Sequence, residues 1–437
     1  MVIVARPRTR IPLIVYINGE KVGTLSFSST GKIQLAYAPS WLESENSRPL
    51  SLSLPLSYHP LHGTAVEHFF DNLLPDNDAI RKRIQTRFGA ASDRCFDLLW
   101  HIGRDCVGAV QLLPETEEPP GIMTITAEPL TDAEIAETLR NYQTMPLGMQ
   151  RSSDFRISIA GAQEKTALLL HGDRWCRPHG VTPTTHIFKL PIGQTPRIDL
   201  SDSVENEWLC HRILMEYGMP VANAEIRTFE DVKTLVVERF DRRMSKDGTW
   251  IIRLPMEDMC QALGVPPVFK YEEDGGPGIR RIMDLLLGSE NAAADRRLFM
   301  KAQLLFWLLG AIDGHGKNFS IYLLPRGAYR MTPLYDVMSA WPLVARKELH
   351  TKQMKMAMSA DGKNKHYYWG EIQKRHWESM ARKVRFPEEE LAGITRELLD
   401  PMDDIINRVA SSLPAGFPAA VAEQVFIGMR AAKSKLV

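Results

Sequence analysis

The sequence predicts an α+β protein: a small N-terminal accessory α+β domain, then a bilobed core whose first lobe is rich in strands and whose second is mainly helical. Three observations carry this expectation. A chain of 437 residues is too long for one ordinary hydrophobic core. Strand-like and helical runs alternate to about residue 148, strands dominate from 149 to 240, and helical periodicity takes over from 241 to 437, which sets three units at those boundaries. Within the last unit, residues 298–309 are apolar on nearly every face, as suits a helix buried at the centre of a lobe and stopped by Gly310.

Composition narrows the class of function. Fifty-three basic residues balance fifty-three acidic ones, so the chain lacks the positive field that drives nonspecific nucleic-acid binding, and a DNA contact has to be local or made through a partner. The five cysteines are widely spread and never form a close CxxC pair, which points to buried thiols in a reducing cytoplasm rather than to disulfides or zinc. No run reaches the roughly 18 apolar residues of a membrane span. The N-terminal IPLIVYI follows three arginines but carries no cleavage pattern, and a cytosolic protein is expected.

Taken in order, residues 14–17 and 22–25 flank Asn18 and Gly19, a dipeptide suited to a type I′ hairpin, with Glu20 and Lys21 leaving the register open. Further strands are expected at 33–37 and at 50–56, where leucines alternate with serines. Helices follow at 68–76, 78–88 and 95–103, then a strand at 107–113 and, after the acidic loop PETEEPP, a helix opened by a Thr131 to Glu134 capping box and running to about residue 142. None of these segments shows catalytic chemistry.

Residues 154–170, DFRISIAGAQEKTALLL, read as strand, tight turn and strand, with Gly161 and Ala162 at the bend. Small residues there let backbone N–H groups approach an anion, although taken alone the segment reads as a plain hairpin more readily than as a phosphate loop. TTHIFKLP places Lys189 on a strand in an apolar setting, where an ammonium needs an anionic partner. The next helix, 202–217, begins with Asp202 and Ser203 as caps and carries Glu207 in its second turn, so a Lys189 to Glu207 ion pair is one reading and two solvated residues the other. Strands at 224–228 and 233–237 lead into Glu238, Arg239 and Phe240, a hinge between lobes or the start of a surface charge run. Beyond it helices are expected at 255–264, 278–288, 368–385, 387–399, 401–412 and 417–431.

After the central helix comes GAIDGHGKNFS, in which Asp313 and Asn318 stand five residues apart, then a hairpin over 319–335 and a second carboxylate, Asp336. A turn, a cap and a surface acid would explain these residues taken singly. Their order is that of a protein-kinase catalytic loop followed by a metal-binding loop. Phosphoryl transfer from ATP needs one carboxylate to orient the attacking hydroxyl and accept its proton, and an amide oxygen and a second carboxylate to hold magnesium against the phosphates. Asp313 takes the first role in this reading, and Asn318 and Asp336 the others. A strand lysine paired with a helix glutamate upstream is the other part such a site requires.

Longer stretches resemble the HipA serine/threonine-kinase toxins of bacterial toxin-antitoxin systems: SRPLSLSLPL, FFDNLLPD, IGRDCVGAV, DFRISIAGAQEKTALL, TTHIFKLPIG, VERFDRR, RLPMEDMCQALG, DGGPGI, GAIDGHGKNFS and TPLYDV, in that order and across all three units. The resemblance implies a protein-kinase-like fold, ATP and Mg2+ as cofactors, Asp313 as the catalytic aspartate, Asn318 and Asp336 as magnesium ligands and Lys189 as the ATP-contacting lysine. It implies Glu238, Arg239 and Phe240 as the adenine-binding hinge and 159–164 as the phosphate loop, including Ala160, Gly161, Ala162, Gln163 and Glu164. Ser158 matches the serine that these kinases autophosphorylate. The implied substrate is glutamyl-tRNA synthetase, with translation arrest and dormancy as the result. The implied partners are a small helix-turn-helix antitoxin dimer and, through it, operator DNA. Arg382 and Arg385, in a basic cluster near the C-terminus, fall about where family members touch operator phosphates. A catalytically silent corepressor bound to the same antitoxin, and a small-molecule or lipid kinase on the same core, are the alternative functions.

Overall fold

The computed structural model describes residues 10–119, 121–144, 163 and 165–436. The first strand of the 154–170 hairpin, Ser158 and the phosphate-loop residues Ala160, Gly161, Ala162 and Glu164 lie outside the described residues.

A five-stranded antiparallel sheet opens the chain, in the order Leu61–His62, Ile33–Tyr37, Glu20–Phe27, Leu13–Ile17, Val110–Pro114. Asn18 (φ 46) and Gly19 (φ 81) form the two-residue turn, Ile17 pairs with Glu20, and a register shift between Val15 and Tyr16 absorbs the extra residue. Three helices, Thr64–Asp71, Asp78–Phe88 and Cys95–Ile102, cover one face, and Phe69, Phe70, Leu98 and Leu99 meet Leu13 and Val15 in its core. Residues 50–56 are not a strand. The side chains of Ser51 and Ser53 donate to the Gln261 carbonyl at 3.1 and 2.7 Å, and the Leu52 N–H donates to Glu257 Oε1 at 2.8 Å. The leucine and serine alternation thus reflects a turn docked on the last lobe, with no ladder partner beyond the Ser51 to Leu54 bridge.

The second sheet has six antiparallel strands in the order Ala224–Phe229, Val232–Glu238, His186–Lys189, Lys165–His171, Arg174–Pro178, Ala127–Pro129. The Thr131 to Glu134 capping box forms, with Thr131 N and Glu134 Oε2 2.8 Å apart, and opens the helix Asp132–Thr144. Ile135, Ala136 and Leu139 of that helix pack on Leu168, Phe188 and Val236, so residues 127–144 build onto this sheet rather than onto the first.

The last lobe surrounds the helix Ala292–Leu309, buried along most of its length and terminated by Gly310 at φ 61, where the Ala311 N–H reaches the Phe306 carbonyl at 2.8 Å. The helix expected at 255–264 is instead a strand, Met256–Asp258, followed by a single turn, Met259–Ala262. The strand pairs with Ser320–Leu323, and the Asp258 and Gln261 capping box restarts the backbone as helix. The helix expected from 368 begins only at Lys374, because Lys365–Tyr368 pairs with Lys355–Asp361. Three further helices, Glu388–Leu399, Met402–Ser411 and Ala419–Lys433, complete the lobe.

Candidate active site

Lys189 ends a strand flanked on both sides, opposite Lys165 and Leu235, which fixes the direction of its side chain. Its Nζ donates to Glu207 Oε1 at 2.7 Å and to Asp336 Oδ1 at 2.9 Å. Glu207 projects from the buried helix Ser203–Glu216. The expected caps do not cap that helix: Asp202 pairs with Arg346 at 2.6 Å, and the Ser203 hydroxyl accepts the Ile192 N–H at 2.9 Å.

Asp336 arrives from the other lobe. The segment before it is pinned to the strand-rich first lobe by reciprocal bonds, Ala222 N–H to the Leu334 carbonyl and Leu334 N–H to the Pro220 carbonyl, each 2.8 Å. Asp336 itself has φ 60, a left-handed conformation that a non-glycine residue adopts at a cost. Asn318 Nδ2 lies 3.4 Å from Asp336 Oδ2, and Asn318 Oδ1 accepts the His315 N–H at 3.1 Å. Burial opposes the charge on Lys189, but Asp336 and Glu207 outweigh it and hold the ammonium above the usual lysine range. Burial also opposes the charge on Asp336, and Lys189 and Lys165 outweigh it, keeping the carboxyl well below the usual carboxylate range.

Asp313 is exposed, and Tyr271 donates to its Oδ1 at 2.7 Å. Its loop turns closely past the central helix, and a Cβ on Gly314 would lie 2.7 Å from the Phe306 ring, which glycine alone avoids. Lys165, Lys189, Asp313, Asn318 and Asp336 line one cavity of about 450 Å3. Ile187, Ala222, Val237 and Met338 make its apolar end, beside Glu238, Arg239 and Phe240. The Glu238 N–H is taken by the Asn223 carbonyl and the Arg239 N–H by the Thr185 carbonyl, each at 2.8 Å, while the Phe240 N–H has no acceptor among the described residues. The Phe240 ring sits 5.6 Å from that of Tyr335 and edge-on to Tyr322.

Arg239 also serves a second cluster. Its guanidinium reaches Asp241 at 2.9 Å, Thr184 Oγ1 and the Cys106 carbonyl at 2.8 Å, and Asp105 at 3.3 Å. Asp105 also meets Arg242 at 2.8 Å and Arg253 at 3.4 Å, forming a buried seam between the first sheet's domain and the hinge.

Gln163 lines the cavity and donates to the Leu190 carbonyl at 2.9 Å. Arg382 and Arg385 take no part in the lining. Arg382 is exposed and paired with Glu388 at 3.2 Å, and Arg385 follows the helix end with φ 52.

Four lining or adjoining residues were not singled out from the sequence. Asp76 comes from the first domain, and its carboxylate meets Lys317 at 2.7 Å and Lys270 at 3.2 Å. Lys317 lies within the Asp313 loop, and Tyr271 beside Lys270. Lys165, pushed down to about 8 by burial and by Lys189 against the pull of Asp336, faces the same space. Only a spacing rule for the loop, placing Lys317 one residue before Asn318, would have drawn attention to any of them.

The donor set suits magnesium. The Asp336 carboxylate and the Asn318 amide stand together, the amide through its Nδ2 while its oxygen accepts the His315 N–H, and among the described residues no three acidic, histidine or cysteine side chains form a metal cage. Mg2+ is held by one or two protein oxygens, with water and phosphate completing the octahedron.

Comparison with known proteins follows the same outline. The family model for the HipA-like C-terminal domain matches residues 157–406, and that for the HipA N-terminal domain matches residues 13–113. A putative kinase, Y4mE, of Sinorhizobium fredii is 37% identical over 359 residues, covering 80% of this chain and 83% of the relative. The serine/threonine-protein kinase toxin HipA of Shewanella oneidensis is 30% identical over 351 residues, 75% of each chain. Among solved structures, a Shewanella oneidensis complex of HipA, HipB and operator DNA contains a chain that superposes with a TM-score of 0.80 at 24% identity, over 97% of this chain and 96% of that one. The α+β, kinase-like fold expected from the sequence is therefore the fold observed. Among the described residues no helix is long and apolar enough to cross a membrane.

Proposed function

Because the chain belongs to the HipA family, we propose that it is an ATP- and magnesium-dependent serine/threonine-protein kinase acting as the toxin of a toxin-antitoxin module. The observation that carries this reading is the meeting of Lys189 with both Glu207 and Asp336, at 2.7 and 2.9 Å, beside Asn318 and the open Asp313. A silent corepressor would have no need of that arrangement.

In this reading Glu207 aims Lys189 at the α and β phosphates, and Lys165 adds a second positive charge to the same wall. Glu238 and Phe240 offer main-chain groups to adenine, which the apolar end of the cavity encloses. Arg239 holds the hinge in shape between them, since its N–H donates to the Thr185 carbonyl, its carbonyl accepts the Arg242 N–H at 3.1 Å and its guanidinium is committed elsewhere. Asn318 and Asp336 would hold Mg2+, which when bound neutralises charge on the transferring phosphoryl group. Asp313 orients the attacking serine hydroxyl and accepts its proton. The phosphate loop is assigned to residues 159–164, including Ala160, Gly161, Ala162, Gln163 and Glu164, and Ser158 is the proposed site of autophosphorylation. A phosphate there would repel the nucleotide's own phosphates and silence the enzyme.

The proposed substrate is glutamyl-tRNA synthetase, with translation arrest and dormancy following. The proposed partners are a helix-turn-helix antitoxin dimer and operator DNA, with Arg382 and Arg385 as candidate phosphate contacts in a cytoplasmic complex. The test is γ-labelled ATP with purified glutamyl-tRNA synthetase and its tRNA, read by mass spectrometry. Label on a serine of the synthetase and on Ser158 is expected. No transfer to any protein at saturating MgATP would remove the kinase assignment, and transfer to the chain alone would remove the synthetase.

A further inference from the structure

The residues that hold Asp313 in place come from outside its own loop. Residues 270–276 run alongside it as a shelf, stitched down at both ends. The Gly316 N–H donates to the Lys270 carbonyl at 3.1 Å, and the Lys270 ammonium meets Asp76 at 3.2 Å. The Glu272 N–H donates to the Ala357 carbonyl at 3.2 Å, and the Ala357 N–H donates to the Ile312 carbonyl at 2.9 Å, so one strand carries both the shelf and the approach to Asp313. The Glu272 side chain, 8% exposed, accepts the Ser359 N–H at 2.7 Å and hydroxyl at 3.0 Å, and pairs with Lys365 at 2.7 Å. Tyr271 projects from this braced segment. Its ring stands edge-on to His315 at 5.2 Å, and its phenol reaches Asp313 Oδ1 at 2.7 Å, the one side-chain hydrogen bond that carboxylate receives among the described residues. Burial and the neighbouring Asp313 carboxylate hold the phenol above the usual tyrosine range, so it stays a donor wherever the enzyme works.

We infer that Tyr271 is a positioning residue for phosphoryl transfer: it fixes the Asp313 carboxylate through Oδ1 and leaves Oδ2 for the acceptor hydroxyl. The inference rests on the kinase reading above. In the step it serves, the acceptor oxygen bonds the γ-phosphorus, the bond from that phosphorus to the β,γ-bridging oxygen breaks, ADP leaves, and the hydroxyl proton passes to Asp313 Oδ2. Tyr271 keeps its own proton throughout. A free carboxylate on an exposed loop samples several rotamers, and only some point at the acceptor, so the contact raises the fraction of time the base is in place.

The experiment uses the full chain after phosphatase treatment and follows label from γ-labelled ATP into the chain itself and into glutamyl-tRNA synthetase. Y271F keeps the ring against His315 and removes only the hydroxyl. Its maximal transfer rate should fall about ten- to a hundredfold, the range expected when a hydrogen bond to a charged group is lost, with half-saturating ATP and the affinity for a non-hydrolysable MgATP analogue within about twofold of wild type. A rate within about threefold of wild type, a rate that rises, or a parallel rise in half-saturating ATP would each overturn the role. E272Q, which loosens the shelf away from Asp313, should lower the rate in the same direction by a smaller factor with ATP affinity unchanged, and unchanged transfer in that variant would count against it. If the wild-type chain itself transfers nothing, the kinase reading fails first, a result set apart from one in which wild type and Y271F perform alike.

Discussion

The seam and the cavity both bury charge, they meet at the hinge, and they end differently. In the seam, Asp105 and Asp241 are ringed by Arg239, Arg242 and Arg253, with side-chain exposures between 1% and 6%. Burial opposes ionisation of Asp105, but Arg242, Arg239 and Arg253 hold it well below the usual carboxylate range. The Thr184 N–H and hydroxyl and the Gly108 N–H fill further acceptor positions. In the cavity, Asp336 keeps a third of its side-chain surface, Asp313 is exposed, and the Lys165 ammonium faces the open space with no hydrogen-bonded partner among the described residues. A closed ion cluster fixes two bodies to each other, whereas an open one waits for a ligand to complete it.

That contrast can be broken by one pair of variants. D105A leaves three guanidiniums buried around a missing partner and should cost about 3–5 kcal/mol of stability, read as a lower urea midpoint. D313A should lower transfer at least about a thousandfold while its unfolding free energy changes by less than about 0.5 kcal/mol. If D105A unfolds no more easily than D313A, the seam is not the structural half of the pair.

A pH titration sharpens the comparison. Lys165 is pushed down to about 8 in the free protein, so it carries charge below that pH and loses it above. Bound phosphates favour the ammonium, so binding above pH 8 must take up a proton, and affinity falls as pH rises. Calorimetric titration with MgATP should show weakening on the order of tenfold between about pH 8 and 9.5, and K165M should bind more weakly but without the slope. A wild-type affinity flat across that range would remove Lys165 from the phosphate wall.

The smallest effect belongs to Arg382, whose pair with Glu388 is more than half exposed on both sides. R382A should change stability by less than about 0.5 kcal/mol and leave transfer untouched. A change in operator affinity of the antitoxin complex, measured by gel shift against salt, would be its only mark, and no change would withdraw the DNA contact.

What could be read from the sequence divides along similar lines. Asp313, Asn318, Asp336, Lys189 and Glu207 were legible because a chemistry with fixed parts demands an order of elements, and the order survives in one dimension. The structure gathers those five. Asp76, Lys165, Tyr271 and Lys317 were not, because Asp76, Tyr271 and Lys317 gain their partners, and Lys165 its place on the cavity wall, only when separate parts of the chain come together: Asp76 lies 241 residues from Lys317. Short amphipathic runs misled in both directions. Residues 255–264 have helical spacing, yet the edge offered by Ser320–Leu323 drew three of them into a strand. Residues 50–56 alternate like a strand, yet their serines bond to the Gln261 carbonyl. Arg239 was read as part of the hinge, and nothing local foretold that its guanidinium would cross to the first domain.

Arg239 joins two equilibria in one residue. Its peptide borders the cavity proposed to take the nucleotide, and the far end of its side chain grips the Cys106 carbonyl, next to a Gly108 whose amide is held by Asp241. A nucleotide that stiffens the peptide must damp fluctuations around residues 105–108, and loosening those residues must in turn weaken the nucleotide's hold. Occupancy of the cavity should therefore be audible, as slowed amide exchange, at residues 105–108 of the first domain, whose Val107 borders the same space.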